Sequence, residues 1–485
     1  MQPTADNLAM LMDLYELTMA NGYFVHQEEE DFVTFDVFFR KNPDNGGYAI
    51  FAGLEQILDY LENMRFEEAD IAYLRSLNLY KEEFLTWLSN YRFRGTVTAV
   101  PEGTIVYPNE PIMTVRAPMI DAQLIETAVL NIINHQSLIA TKAQRIVQAA
   151  QGRGVADFGA RRAHNGDAAV YGARAAYIGG VDSTATVLAG QKFGIPVSGT
   201  MAHSWIMYFE NEYAAFKAFA ELYPDNSVLL VDTYDVLRSG VPNAIRVARE
   251  VLQPMGKRLK GIRLDSGDLA YLSKEARRML NEAGLEDCKI IVSNSLDEFT
   301  IRSLLEQGAC LDGFGVGERL ITAKSDPVFG AVYKLVAVQN SKACRPTIKV
   351  SESFVKITNP GTKRLWRIYN EGGHAIADLL TLEEETPDFS KAYRYVDPSK
   401  PWKKDCFVNH TLKELQELVL EKGKRVKASP SLEQVRAYVK QQLAVEIWPE
   451  EQRFENPHQH YLNMSPAYYK MKMDLLQQVQ HGLEE

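Results

Sequence analysis

The spacing of apolar and polar positions divides the chain into three stretches with different periods. Apolar residues at helical spacing predict helices over 10–24 and 48–64, the second with Leu54, Ile57, Leu58 and Leu61 on one face. An alternating run over 33–40 predicts a strand between them. Short β-branched runs at 96–100, 104–107 and 112–116, separated by Pro-Glu-Gly and Pro-Asn-Glu-Pro turns, predict a small antiparallel sheet. A long helix or helix pair follows over 121–150.

The middle stretch repeats a different unit. Short apolar runs at 155–158, 195–197, 228–231, 261–264, 290–292, 311–316 and 332–338 end in small or polar residues, and most lead into a helical pattern. That alternation predicts parallel strands with crossover helices. No dinucleotide glycine fingerprint follows the first run, so the seven strands favour an irregular parallel β/α barrel over a doubly wound sheet. Beyond 345 the pattern lapses into an expected hairpin of 347–357 with 364–369, a polar loop over 388–405, helices at 412–422 and 432–443, and a final polar helix. The expected organisation is an α/β protein with an N-terminal α/β sandwich domain (1–150), a barrel (151–345) and a C-terminal extension (346–485) packed on the first domain.

Composition narrows the function classes. The 53 basic and 63 acidic residues leave a net charge of -10, which argues against a nucleic-acid binder that relies on a positive surface. The four cysteines (Cys288, Cys310, Cys344, Cys406) show neither disulfide-scaffold nor zinc-ligand spacing. The N-terminus lacks a basic leader and no run of about 18 apolar residues occurs, so neither secretion nor membrane insertion is expected, and a reducing cytoplasm is.

Candidate chemistry gathers where the strands end. Gly159 with Arg161 and Arg162 follows the first, and a guanidinium there suits a carboxylate or phosphate. His203 stands among small residues, either as a phosphorus nucleophile or as a hydrogen-bonded pocket wall. Asp232 and Asp235 follow another strand, as imidazole-orienting carboxylates or turn caps. In the next turn Asp265 suits ribose hydroxyls or magnesium, and Asp268 a helix cap. Ser293 and Asn294 end the next strand, and Gly315 and Gly317 offer backbone N–H groups to a phosphate, with Lys324 near by. Taken alone, Tyr15 reads as a core residue and Arg40 as a surface cation.

Five ordered segments together, Leu11 to Met19, Phe38-Phe39-Arg40, Asp157 to Ala163, Gly199 to Ser204 and Arg263 to Asp268, resemble the nicotinate phosphoribosyltransferase family. The resemblance runs from about residue 8 to 338 and implies the type II phosphoribosyltransferase fold. It implies conversion of nicotinate and 5-phosphoribosyl 1-diphosphate to nicotinate mononucleotide and diphosphate, a ligase coupled to ATP and assisted by Mg²⁺ held through substrate phosphates, within NAD salvage. By position, His203 resembles the histidine phosphorylated by ATP and Asp232 the carboxylate that positions it. Arg161 would hold the nicotinate carboxylate, with Phe158, Thr200 and Tyr15 lining the substrate site. Arg263 and Asp265 would contact the phosphoribosyl group, Ser293 and Asn294 line its pocket, and Gly315 and Gly317 bind the 5-phosphate. A homodimer is implied, in which Tyr15 and Arg40 reach the barrel of the other subunit. One departure stands out: Glu318 follows the Gly-Val-Gly turn where the family often has a small hydroxyl residue. Competing readings are a nicotinamide- or quinolinate-using enzyme of the same fold, a metal-dependent aldolase or isomerase with His203, Asp232 and Asp265 as ligands, and a non-catalytic nucleotide sensor.

Overall fold

The structure is a computed structural model that describes residues 7–26, 30–340, 343–350, 356–403 and 405–481. The chain divides into two compact units, one of residues up to 138 and from 328 onward, the other of residues 139–327.

The first unit is built on a seven-stranded antiparallel sheet. In spatial order its strands are Cys344–Pro346, Val332–Gln339, Phe32–Phe38, Met113–Pro118, Thr96–Ala99, Glu417–Glu421 and Lys424–Arg425. The strand Val332–Gln339 therefore does not join the parallel set in which the sequence pattern placed it. It pairs antiparallel with Phe32–Phe38, where Tyr333 stacks on Phe35 at 4.4 Å and donates its hydroxyl to Ala122 O at 2.9 Å. Aromatic stacking and register, invisible in a local pattern, decide its sheet.

Two further expectations change. Residues 412–422 form the strands Thr411–Glu414 and Glu417–Glu421 rather than a helix. Leu412, Leu415 and Leu418 mimic a helical period, but pairing with Lys363–Tyr369 and Thr96–Ala99 overrides it. The strand Lys363–Tyr369 pairs with Ala375–Leu382, not with 347–357, of which residues 351–355 lie outside the described residues. The C-terminal stretch thus extends the sheet begun by the N-terminal one, and the boundary between units falls inside the helix Glu126–Ala149.

A buried charge cluster ties three segments of this unit together. Arg367 donates to both oxygens of Asp378 at 2.9 and 2.7 Å and to Ile105 O at 2.9 Å. His460 lies stacked on Tyr107 at 3.8 Å, with Nδ1 3.0 Å from Glu451 Oε1 and Nε2 3.5 Å from Asp378. The guanidinium holds the Asp378 carboxyl far below its usual range, and the two carboxylates raise the His460 imidazole against the effect of burial.

The second unit carries six parallel strands: first Gly154–Asp157, second Ser183–Thr184, third Val228–Leu230, fourth Gly261–Leu264, fifth Lys289–Ser293 and sixth Gly313–Val316. The spatial order is second, first, sixth, fifth, fourth, third, so consecutive strands lie side by side except the second and third, and the sixth pairs with the first. The run 195–197 contributes a single parallel bridge, Val197 to Thr184. Within this unit no ladder joins Val197 to the third strand, so the ring has one seam. The two-residue second strand, too short for a period, escapes the sequence pattern.

Arg367→Ala leaves Asp378 buried without its bidentate partner and is expected to cost about 3–5 kcal/mol. Urea unfolding of the full-length protein measures this, and an unchanged midpoint would refute the tie.

Candidate active site

The C-terminal ends of the parallel strands surround a cavity of about 600 Å³, lined entirely by residues of the second unit. Phe158, Arg161, Thr200, His203, Arg263, Asp265, Ser293, Asn294, Gly315 and Gly317 all line it, as do Glu318, Arg319 and Lys324. Tyr15 and Arg40 belong to the first unit, on the helix Leu14–His26 and just past the strand Phe32–Phe38.

Each wall has a local cause. Asp157 is buried and accepts from Gly159 N and Thr184 Oγ1, both at 2.8 Å, so the first strand ends in a fixed turn toward the second. Burial pushes its carboxyl upward, and these two donors oppose the shift. The turn carries a short helical segment, Ala160–Arg162, closed by Arg162 N donating to Gly159 O at 2.8 Å, in which the Arg161 and Arg162 guanidinium groups are exposed and make no hydrogen bond or ion pair among the described residues. Across from it, a Cβ placed on Gly315 would stand 2.4 Å from the Phe158 ring, so the missing side chain is what lets the ring lie against the sixth strand. Phe158 N donates to Val316 O at 2.8 Å, fixing the same contact through the backbone.

His203 opens the short helix His203–Tyr208 and faces the seam. Its Nδ1 is 3.0 Å from Thr233 Oγ1 and its Nε2 is 3.7 Å from Asp265 Oδ2. The place against the ring expected for Asp232 is therefore taken by Thr233, its neighbour. The strand ends at Leu230 and the chain bends at Thr233, which brings Thr233 to the ring while Asp232 turns to the next strand end. Asp232 Oδ2 accepts from Asp265 N at 3.0 Å and Ser266 Oγ at 2.6 Å, while Oδ1 is buried without a hydrogen-bond partner. Asp232 thus braces the turn that carries Asp265.

Arg263 donates to Thr200 Oγ1, and its guanidinium lies 6.0 Å from the Phe158 ring centroid. Burial and nearby Arg161 push its pKa down, against Asp265 and Asp232, so the half-buried cation lacks full compensation and favours an anion. Ser293 donates to Asp265 Oδ1, and the next residue, Asn294, has φ +92°, a left-handed backbone rare for a residue with a side chain. Asp268 accepts from Tyr271 N at 3.0 Å and Asp235 from Leu237 N and Arg238 N, so both are helix caps. Glu318 turns its carboxylate to Lys324 Nζ at 2.7 Å.

Thr233 and Arg319 were not singled out from the sequence. Thr233 adjoins a residue that was, but a threonine after a strand carries no signal of its own. The cations, the imidazole and the hydroxyls gather at the C-terminal ends of a parallel α/β sheet, an arrangement suited to small anionic molecules.

Descriptions of the nicotinate phosphoribosyltransferase N-terminal domain, family and C-terminal domain match residues 10–134, 154–349 and 362–472 respectively. The chain is 45% identical to the nicotinate phosphoribosyltransferase of Bacillus subtilis over 99% of its own length and 97% of the relative's. A solved structure of human nicotinic acid phosphoribosyltransferase superposes with TM-score 0.85 at 30% identity, over 96% of this chain and 100% of that one. A nicotinate-nucleotide pyrophosphorylase from Pyrococcus furiosus follows with TM-score 0.69 at 26% identity, over 90% and 95%. The chain belongs to the nicotinate phosphoribosyltransferase family and has the type II phosphoribosyltransferase fold.

A methyl group at position 315 must displace the Phe158 ring. Gly315→Ala is expected to cost about 1–3 kcal/mol by overpacking, read by urea denaturation. An unfolding midpoint equal to that of the unmodified protein would show that the ring is not held there.

Proposed function

We propose that this protein transfers the phosphoribosyl group of 5-phosphoribosyl 1-diphosphate to the ring nitrogen of nicotinate, releasing diphosphate and forming nicotinate mononucleotide for NAD salvage in the cytoplasm. The carrying observation is the free pair Arg161 and Arg162 at the rim of a cavity whose inner cation, Arg263, also lacks full compensation. An anionic ring substituent satisfies such a guanidinium, whereas a neutral amide leaves it without a counter-charge.

Within this reading Arg161 holds the nicotinate carboxylate and Phe158 packs on the pyridine ring. Tyr15 and Arg40 complete the pocket across a homodimer. Arg263 and Asp265 hold the ribosyl group, beside Ser293 and Asn294, and the turn from Gly315 to Gly317 receives the 5-phosphate. Breaking the C1–diphosphate bond leaves oxocarbenium-like charge on the ribose, which the Asp265 carboxylate stabilises, while fixed cations take up charge developing on the leaving oxygens. The oxygen donors of half-exposed Asp265 and of the buried Ser293 beside it suit Mg²⁺, which would be held chiefly by substrate phosphates and would supply charge that neutralises the diphosphate.

ATP enters through His203. With Nδ1–H donating to Thr233 Oγ1, the Nε2 lone pair is left to attack the γ-phosphorus, forming a P–N bond as ADP leaves. The phosphoryl group adds charge and acceptor oxygens beside Asp265, altering the grip on substrates until water removes it as phosphate. Mononucleotide formation is thereby coupled to ATP hydrolysis. Asp232 acts one step removed, by holding the Asp265 turn.

Mononucleotide formation is expected with nicotinate and to fall by at least about tenfold with nicotinamide; equal rates would sink the acid-specific reading. Incubation with γ-labelled ATP is expected to give an acid-labile, base-stable label that is lost in His203→Ala. That variant is also expected to lose ATP stimulation while retaining slow, uncoupled transfer.

A further inference from the structure

Two cations beside the Gly-Val-Gly turn already have carboxylate partners, and the two partnerships differ in kind. Arg319 pairs with Asp297, whose side chain is only 13% exposed and is fixed by accepting from Thr300 N at 2.8 Å as the cap of the helix Glu298–Glu306. Lys324 pairs with Glu318, and here both side chains are open to solvent, 59% and 44% exposed. Glu318 has no other hydrogen-bond partner among the described residues for its carboxylate, and Lys324 holds that carboxyl below its usual range. An exposed pair of this sort contributes little stability and exchanges readily.

Both members of this second pair line the cavity, in the same wall as Gly315 and Gly317. A phosphate monoester dianion entering that wall meets an ammonium that is already neutralised and a carboxylate that repels it. It also offers Lys324 a better partner, because it carries more charge and three acceptor oxygens.

We infer that Glu318 is an affinity-determining residue for the phosphate end of the substrate: a tethered carboxylate that competes with the incoming phosphate for Lys324. The inference rests on the phosphoribosyl reading for the position of that phosphate. In the empty site Lys324 belongs to Glu318; in the filled site Lys324 turns to the phosphate and Glu318 is released to solvent. The exchange weakens retention of every phosphorylated ligand at this wall, substrate and mononucleotide product alike. Arg319, held by a cap residue only 13% exposed and itself fixed by Thr300 N, keeps its partner.

The test is calorimetric titration of ribose 5-phosphate into the full-length protein without nicotinate or ATP, so that it needs no turnover. Glu318→Gln is expected to tighten binding by about two- to fivefold at low salt. That gain is expected to shrink at 1 M NaCl, where the Debye length is about 3 Å. In a Lys324→Met background the gain from Glu318→Gln is expected to fall, because the cation that Glu318 is paired with is gone. Unchanged or weaker binding in Glu318→Gln overturns the inference, as does a gain undiminished by Lys324→Met, which would mean simple repulsion. Absence of ribose 5-phosphate binding in every variant overturns the placement of the phosphate itself. Normal binding differences without nicotinate turnover leave this inference standing and overturn the proposed function alone.

Discussion

The site depends on a ring of strands that is not closed by backbone pairing. Between Val197 and the strand Val228–Leu230 there is no ladder, and at the C-terminal end of that seam side chains do the joining. Thr200 accepts from Arg263 on the fourth strand, and His203 meets Thr233 just past the third. Three of the four residues that hold the seam together, Thr200, His203 and Arg263, thus also line the cavity. A strand inside a ladder is held on both sides by several cooperative hydrogen bonds, whereas this segment, bonded to the second strand through Thr184, is held across the seam by two side-chain bonds. Chemistry at His203 therefore acts on a bond that positions its own segment, and Thr200 on that segment touches the cation at the cavity floor.

The same logic continues around the ring. Asp157 ties the first strand end to Thr184 of the second, Asp232 ties the third to the Asp265 turn of the fourth, and Asp265 accepts from Ser293 of the fifth. Phe158 N closes the first onto the sixth through Val316 O. Three of these links use carboxylates, and only that of Asp265 is also open to the cavity. Asp157 is the last residue of its strand, and Asp232 and Asp265 come just after theirs, yet their tasks differ because burial differs. Asp157 is sealed and serves the scaffold, Asp232 braces a turn, and Asp265 faces the imidazole.

Strand ends were the most legible feature of the sequence. Short apolar runs ending in small or polar residues located Arg161, Arg162, His203, Asp265, Ser293, Asn294, Gly315 and Gly317 of the cavity wall, because parallel strands buried on both faces read as uninterrupted apolar runs, whereas Phe158, Thr200 and Arg263 were marked only by the family resemblance. Pairing partners were not legible. Val332–Gln339 has the same apolar character as the parallel strands, and its pairing with Phe32–Phe38, with the Phe35 ring stacked diagonally on Tyr333, assigns it to the antiparallel sheet. The strands at 411–421 were hidden by leucines whose spacing fits a helix, and the second parallel strand by its two-residue length. Thr233 was missed for another reason: which of two consecutive side chains faces a ring is fixed by strand twist and turn geometry, not by residue type.

Electrostatics explain how an acidic chain presents an anion site. The net charge of -10 is an average over the whole surface, while the cavity wall concentrates Arg161, Arg162, Arg263, Arg319 and Lys324. These five cations are not equivalent. Arg161 and Arg162 stand uncommitted on an exposed segment, Arg263 is half-buried and destabilised as a cation, and Arg319 is committed to a fixed carboxylate. Lys324 alone is committed to a carboxylate that is itself free to leave. A wall with all five charges uncommitted would hold phosphorylated substrate and product with equal tenacity, and such uniform binding does not accelerate turnover. Placing one cation under a mobile counter-charge keeps the attraction that guides an anion into the cavity while lowering the barrier to its departure.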